Sequence, residues 1–438
     1  MKRGSNLADT RYYNKYKILT DRYHIHPKLI KIAEDVIGEI RTIFDKIDNI
    51  AEYNHFKVID AMKQSYLSDY HLNGSTGYGY NDMGRETIEK IYKDIFKAED
   101  ALVRSQIISG THAITLCLFG VLRPGDELLS ATGTPYDTLN DVILGKNCGS
   151  LRDYGISYCE AELTDGKPDY ELIKNSINEK TKMVLIQRSR GYSMRPSLCI
   201  NEIHKLIEFI KNINPNIVCF VDNCYGEFVD YKEPIEVGAD ICAGSLIKNP
   251  GGGIATTGGY VVGKSELIEQ CSYRLSAPGL DKDCGPSLYS NRLIVQGLFF
   301  SPLVVKECLK GAVFTSKIFE QMGFEVYPKY NEKRSDIVTT AILKDENALI
   351  TFCRGIQRVG PVDSHVQPEP SEMPGYDNKI IMSGGSFVQG SSIELSADGP
   401  LREPYAVYIQ GGINFSHIKL GIMSGLQALI DNGNLKIG

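Results

Sequence analysis

The sequence has no CxxC pair and no Cys/His spacing of the kind that holds zinc, although it carries 11 cysteines in 438 residues. Thiols scattered in this way, in a chain too long to need stapling, point to reduced cysteines in a cytosolic compartment and to no metal site. An excess of positive charge is missing too. A net charge of -6 argues against a nucleic-acid binder held through phosphates, because that mode needs a basic field. No apolar run approaches the length that spans a bilayer, and the basic start MKRGSNLADTRYYNKYKILTDRYHIH has no apolar segment behind it, so a soluble intracellular protein is expected. Repeats and low-complexity tracts are absent, and so are the P-loop and dinucleotide fingerprints, which counts against ATP and NAD. What is left, 23% charged and 42% hydrophobic residues, is a globular composition at a length that usually folds as two compact domains.

From Pro27 the residues Ile30, Ala33, Ile37, Ile40, Phe44 and Ile47 recur at helical spacing, which predicts an amphipathic helix in an N-terminal arm over 1–60. Such an arm packs either on its own chain or on a neighbour, and spacing does not choose between them. Short apolar runs follow, DELLSA at 126, KMVLIQ at 182, NIVCFVD at 216 and GGYVVG at 258, with the helical stretch INEIHKLIEFIKNIN between the second and third. Strands separated by helices imply crossover connections, so residues 61–300 are expected to form an α/β domain on a mostly parallel sheet. After a helix-rich bridge ending near GFEV, shorter runs and the turn-rich GPVDSHVQPEPSEMPGYDNK predict a smaller α+β domain over 301–438.

Ligands of open α/β sheets bind beyond the carboxyl ends of the strands, and three places there carry chemistry. In SGTHAI, Gly110 and Thr111 open a helix whose free N–H groups and dipole suit a phosphate, although most such turns only cap their helix. In VDNCYGEF, Asp222 follows an apolar strand; an acid there often caps a turn, but a buried one can hold a protonated pyridine nitrogen. In GSLIKNPGGG, Lys248 stands before a glycine run expected to leave room for a planar ring, and Ser245 three residues earlier can donate to a phosphate. A lysine amine forms a Schiff base with an aldehyde and can later act as a base. A phosphate, a pyridine nitrogen and an aldehyde belong together in one cofactor, pyridoxal 5'-phosphate.

With these segments and LRPGDELL, TPYDTL and SLIKNPGGGIATTGGYVVG in the same order, the chain resembles the fold-type-I pyridoxal phosphate enzymes of cysteine and methionine metabolism, from about residue 60 to the C-terminus. It is most similar to their bacterial branch of methionine gamma-lyase family or aluminium resistance proteins. The resemblance implies that Gly110, Thr111 and Ser245 hold the cofactor phosphate, that Tyr136 stacks on the ring, that Asp222 pairs with its nitrogen and that Lys248 carries the Schiff base. It also implies a Tyr-x-Arg grip on the phosphate from a neighbouring subunit. Here Tyr78 and Tyr80 take that spacing without the arginine, which leaves Arg85 as a substitute. For the substrate carboxylate the small-domain match is Arg402, a surface ion pair being the rival reading; Arg188 and Arg190 are further candidates, although two arginines in one loop usually mark a solvated edge. The implied activity is elimination of a thiol from the beta or gamma carbon of a cystathionine-, methionine- or cysteine-type amino acid, in a cytoplasmic, dimer-based tetramer. The alternatives are another reaction on the cofactor, as in an aminotransferase or aldolase, or a noncatalytic stress-response binding protein.

Overall fold

The computed structural model describes residues 16–437; residues 1–15 of the expected arm lie outside them. The large sheet uses β1 (Asp100–Arg104), β2 (Glu127–Ser130), β3 (Ser157–Glu160), β6 (Thr181–Gln187), β7 (Val218–Asp222), β8 (Ile241–Ser245) and β9 (Gly259–Gly263), and a short hairpin, β4 (Leu163–Thr164) and β5 (Lys167–Pro168), stands apart. Its order is β1-β9-β8-β7-β6-β2-β3. The pairs among β8, β7, β6, β2 and β3 are parallel, whereas β9 runs antiparallel to both neighbours. GGYVVG is therefore the one antiparallel member of a mostly parallel sheet. It is reached from β8 through the short Lys248 loop, whose one helical segment is the 3-10 turn Asn249–Gly251.

Both faces of the sheet are buried, and the two-residue period of a strand sorts its side chains between them. In β6, Met183 and Leu185 join the core under the helices Gly110–Val121 and Ser265–Leu275. Val184 and Ile186 join the core on the other face, with the helices Met83–Phe96, Ile200–Ile213 and Ser290–Gln321.

The single arm helix expected from Pro27 is two helices, Pro27–Glu39 and Arg41–Gln64. They part at Ile40, two residues after Gly38, the residue type with the least helix propensity apart from proline. Leu29, Val36, Ile40 and Val58 are fully buried in the chain's own core, each worth roughly 1.5–3 kcal/mol of apolar burial. The arm thus packs on its own chain, where Lys310 meets Asp48 at 2.7 Å and Lys317 meets Glu39 at 2.7 Å from the 32-residue Ser290–Gln321 helix.

The second sheet is wholly antiparallel, in the order β10 (Glu325–Tyr327), β11 (Thr339–Ile342), β14 (Ala406–Gln410), β13 (Ser396–Pro400), β12 (Ile380–Ser383). Helices Glu346–Gln357 and Phe415–Asp431 pack together beside it. Among the described residues no helix is long and apolar enough to cross a membrane.

Candidate active site

Because β1, β2, β6, β7 and β8 point the same way, their carboxyl ends meet along one edge of the sheet, where a cavity of about 660 Å³ opens. The sheet supplies Ser109, Gly110, Thr111, Tyr136, Asp222, Ser245 and Lys248 to its lining, and the second sheet adds Ser396, Asp398, Tyr408 and Gln410. Six of the sequence-derived site residues thus converge: Gly110, Thr111, Tyr136, Asp222, Ser245 and Lys248.

Ser109 caps the helix after β1 by accepting from the His112 N–H at 3.0 Å. The next two N–H groups, of Gly110 and Thr111, donate to nothing among the described residues, as helix geometry requires of first-turn donors without a cap. A side chain at Gly110 would fill the cradle: its Cβ would lie 3.1 Å from Cys224 Sγ and 3.9 Å from Lys248 Nζ. The Thr111 hydroxyl is bonded to that of Thr138 at 2.8 Å, and Ser245 Oγ accepts from the Ile247 N–H at 3.3 Å.

Asp222 ends β7 and accepts from the Cys224 N–H at 3.1 Å. Burial raises its carboxyl, and Lys248, the Cys224 contacts and Arg195 pull it only partly back. Lys248 is half-buried, its Nζ 4.0 Å from the centre of the Tyr225 ring. Burial lowers its ammonium, but Cys224, Tyr225, Asp222 and Glu227 together more than reverse this and hold it above the ordinary lysine range. Cys224 and Tyr225 are themselves raised by burial and neutral at pH 7. The glycines after Lys248 do something other than clear space for a ring. They let the loop press against the Ser290–Gln321 helix, where the Ser301 hydroxyl donates to the Asn249 carbonyl. A Cβ on Gly297 of that helix would lie 2.2 Å from the Gly251 carbonyl oxygen, so only bare backbone fits at this crossing.

Tyr136 receives Gln187 Oε1 at its backbone N–H, 2.7 Å away, and shares a hydroxyl hydrogen bond with Tyr376 from the turn-rich segment. Burial first, then Tyr376, Tyr225 and Asp398, raise its hydroxyl far above the usual tyrosine value.

The other candidates lie elsewhere. Arg188 is fully buried beneath the sheet edge, where Nη1 donates to Asn223 Oδ1 at 2.7 Å and faces Glu233 at 3.6 Å. Arg190, 3% exposed, donates to Thr340 Oγ1 at 3.3 Å on β11. The expected solvated edge is thus two buried anchors, since each guanidinium finds acceptors from segments distant in sequence. Arg402 is exposed and outside the lining, reaching Asn378 Oδ1 at 3.3 Å and the Tyr192 carbonyl at 3.4 Å. Tyr78 and Tyr80 stack on each other at 5.5 Å and are 71% and 55% exposed. Arg85 is no substitute for the missing arginine: its guanidinium is buried and spent on the carbonyls of Gly79, Gly285 and Asp283. Among the described residues no arginine lines the cavity, and Lys248 is its only cation.

Sequence reasoning missed Tyr225, Tyr192, Tyr376 and Asp398, all in the lining. Tyr225 stood in plain view three residues after Asp222, and Asp398 in the SADGP stretch of β13, but only the fold turns them to Lys248's side.

Behind the lysine, Glu227 is fully buried; Tyr260 donates to Oε1 at 2.8 Å and Oε2 has no partner among the described residues. Burial pushes it up to about 8, with its own backbone N–H and Tyr260 opposing and Glu233 adding. A raised carboxyl keeps its proton longer folded than unfolded, so its contribution to stability is present below about pH 4.5 and is lost as pH climbs to about 8. Glu227→Gln is therefore expected to flatten the fall in denaturation midpoint across that window, by on the order of 1 kcal/mol per pH unit, in urea titrations at pH 5 and 8.

The family model of methionine gamma-lyase matches residues 29–430. The uncharacterized protein YnbB of Bacillus subtilis is 52% identical over 410 residues, covering 92% of this chain and 97% of its own. Among solved structures, a carbon-sulfur lyase involved in aluminium resistance from Clostridium novyi is 45% identical with TM-score 0.90, covering 98% of this chain and 100% of that one. A candidate cystathionine beta-lyase involved in aluminium resistance from Clostridium acetobutylicum is 47% identical with TM-score 0.92, covering 95% and 99%.

Proposed function

The chain belongs to the methionine gamma-lyase family, and from that membership we propose that it is a pyridoxal phosphate-dependent carbon–sulfur lyase that expels a thiol from the beta or gamma carbon of a cystathionine-, methionine- or cysteine-type amino acid. The observation that carries this is the meeting, in one cavity, of Lys248, Asp222 and the unpartnered N–H groups of Gly110 and Thr111. The mostly parallel sheet with its smaller antiparallel companion is the arrangement of fold-type-I pyridoxal phosphate enzymes.

The residues present fit the cofactor. Unpaired helix N–H groups and the Ser245 hydroxyl suit its phosphate, and the bare Gly110 leaves room beside the lysine. Bound there, pyridoxal phosphate supplies an aldehyde for exchange of amines and a sink for the electrons released at the substrate's alpha carbon. Asp222 would hold a proton at the ring nitrogen and keep that sink strong, and Tyr136 would lie against the ring. The Lys248 amine would take the alpha proton, and Tyr225 against the lysine would shield that transfer from water.

We place the enzyme in the cytoplasm as a dimer-based tetramer. All eleven cysteines are free, the exposed Tyr78–Tyr80 pair lies outside the lining of its own cavity, and among the described residues no arginine lines that cavity for a substrate carboxylate. The test is product analysis of the holoenzyme, with its mass in solution checked on the same preparation. Cystathionine, methionine or cysteine should yield a keto acid, ammonia and a free thiol. Amino transfer to an acceptor, aldehyde release from serine or threonine, or cofactor binding without turnover of any of these would overturn the proposal.

A further inference from the structure

Asp398 is a carboxylate that the chemistry above leaves unused. It stands on β13, directly cross-strand from Tyr408, lines the cavity and is 3% exposed. Its Oδ2 accepts from Gln410 Nε2 at 3.3 Å and the Tyr192 hydroxyl bears on the carboxyl, while buried Oδ1 makes no hydrogen bond of ordinary geometry among the described residues. A buried oxygen left without a donor costs roughly 1–3 kcal/mol, and in a ligand cavity that cost is offset when the ligand brings the donor.

The surroundings say what kind of donor. Tyr136, Tyr192 and Tyr376 pack in a triangle with ring centres 5.9, 5.7 and 6.0 Å apart, and Tyr408 lies 5.0 Å from Tyr192. The negative charge of Asp398 reaches the hydroxyls of Tyr136, Tyr192, Tyr225, Tyr376 and Tyr408, helping to hold each of them neutral. A carboxylate set in a cavity wall among aromatic rings attracts a cation. It also repels a carboxylate, so the alpha-carboxylate of an amino acid is turned away from this wall. The cavity is therefore polarised, with Lys248 its only cation among the described residues and an anionic, aromatic pocket on the second sheet.

We propose that Asp398 with Tyr192 and Tyr376 forms a specificity subsite for a positively charged end of the substrate, so that the preferred substrate is an amino-acid thioether whose sulfur substituent ends in an ammonium group. This rests on the lyase reading of the same cavity and narrows it: a doubly amino-bearing thioether is favoured over one that ends in a methyl group.

Two matched pairs of compounds test it. S-(2-aminoethyl)-L-cysteine and S-propyl-L-cysteine have the same length and exchange an ammonium for a methyl group, as do the unreactive L-ornithine and L-norleucine. At pH 8 Asp398, pushed up to about 7 by burial with Tyr192 opposing, is ionised. The holoenzyme should then use the aminoethyl compound with a kcat/KM about tenfold or more above the propyl one, and calorimetry should show the same preference for ornithine. Asp398→Asn should erase both preferences, mainly through KM, and leave the propyl rate within about twofold. Equal handling of both thioethers by the unaltered enzyme, which needs no variant to observe, overturns the subsite and leaves the lyase standing. Equal losses on both thioethers in Asp398→Asn overturn it too, since they mark a proton donor or a structural acid. If neither thioether is consumed while ornithine outbinds norleucine through Asp398, the subsite stands and the lyase reading falls.

Discussion

Lys248→Ala is expected to lower turnover of any productive amino acid by about two to four orders of magnitude, the usual worth of a positioned proton-transfer group. The long-wavelength absorbance that the lysine gives the bound cofactor should vanish with it. The size of the effect follows from the cavity: among the described residues no other cation lines it, so no second amine stands in for Lys248. Tyr136 and Tyr225 hold their protons far above neutral pH, and Asp222 is turned to a different task. Lys248→Arg should fare no better, because a guanidinium stays protonated and cannot serve as the base. The Gly110 and Thr111 donors survive both changes, so cofactor should still bind, and fluorescence titration separates lost chemistry from lost binding. Near-normal turnover in Lys248→Ala would contradict the assignment of this amine.

The largest effect on stability is expected at Arg188. Replacing it with leucine removes the guanidinium that faces fully buried Glu233 at 3.6 Å and the donor to Asn223 Oδ1, leaving the carboxylate only the Asn223 amide and the Phe228 N–H as hydrogen-bond donors among the described residues. Breaking such a pair from one side costs about 3–5 kcal/mol, whereas replacing both partners with apolar residues returns much of it. Arg188→Leu should therefore shift the denaturation midpoint strongly, and Arg188→Leu with Glu233→Leu should recover only part of it, since the Phe228 N–H and the Asn223 amide then lose their acceptor. A substrate-binding role would give the opposite pattern, an unmoved midpoint with a raised KM.

That contrast shows what a linear chain discloses. Asp222, Lys248, Ser245, Gly110 and Thr111 were legible because each sits at a strand end, and strand ends of a parallel sheet converge whatever the intervening loops do. The strands β2, β6 and β7 announced themselves by short apolar runs. β1 did not, since DALVR is brief and half charged at its ends. The direction of β9 was hidden as well, because periodicity carries no arrow. Arg188 and Arg190 were misplaced for a similar reason: a surface arginine and a buried one read alike until Asn223, Glu233 and Thr340 come to meet them from elsewhere in the chain. Asp398 and Tyr376 were out of reach because only the second sheet and its turn-rich loop bring them to the cavity.

The crossing of Gly251 and Gly297 reaches beyond its two residues. It ties the reactive amine to a helix that packs on the lysine loop and reaches β10, so the amine's place is set partly by an element outside the cavity lining. A methyl group added at Gly297 would present itself as a fault in chemistry while lying in what looks like scaffold. Any relative that keeps this lysine loop must leave both positions bare, or change them together.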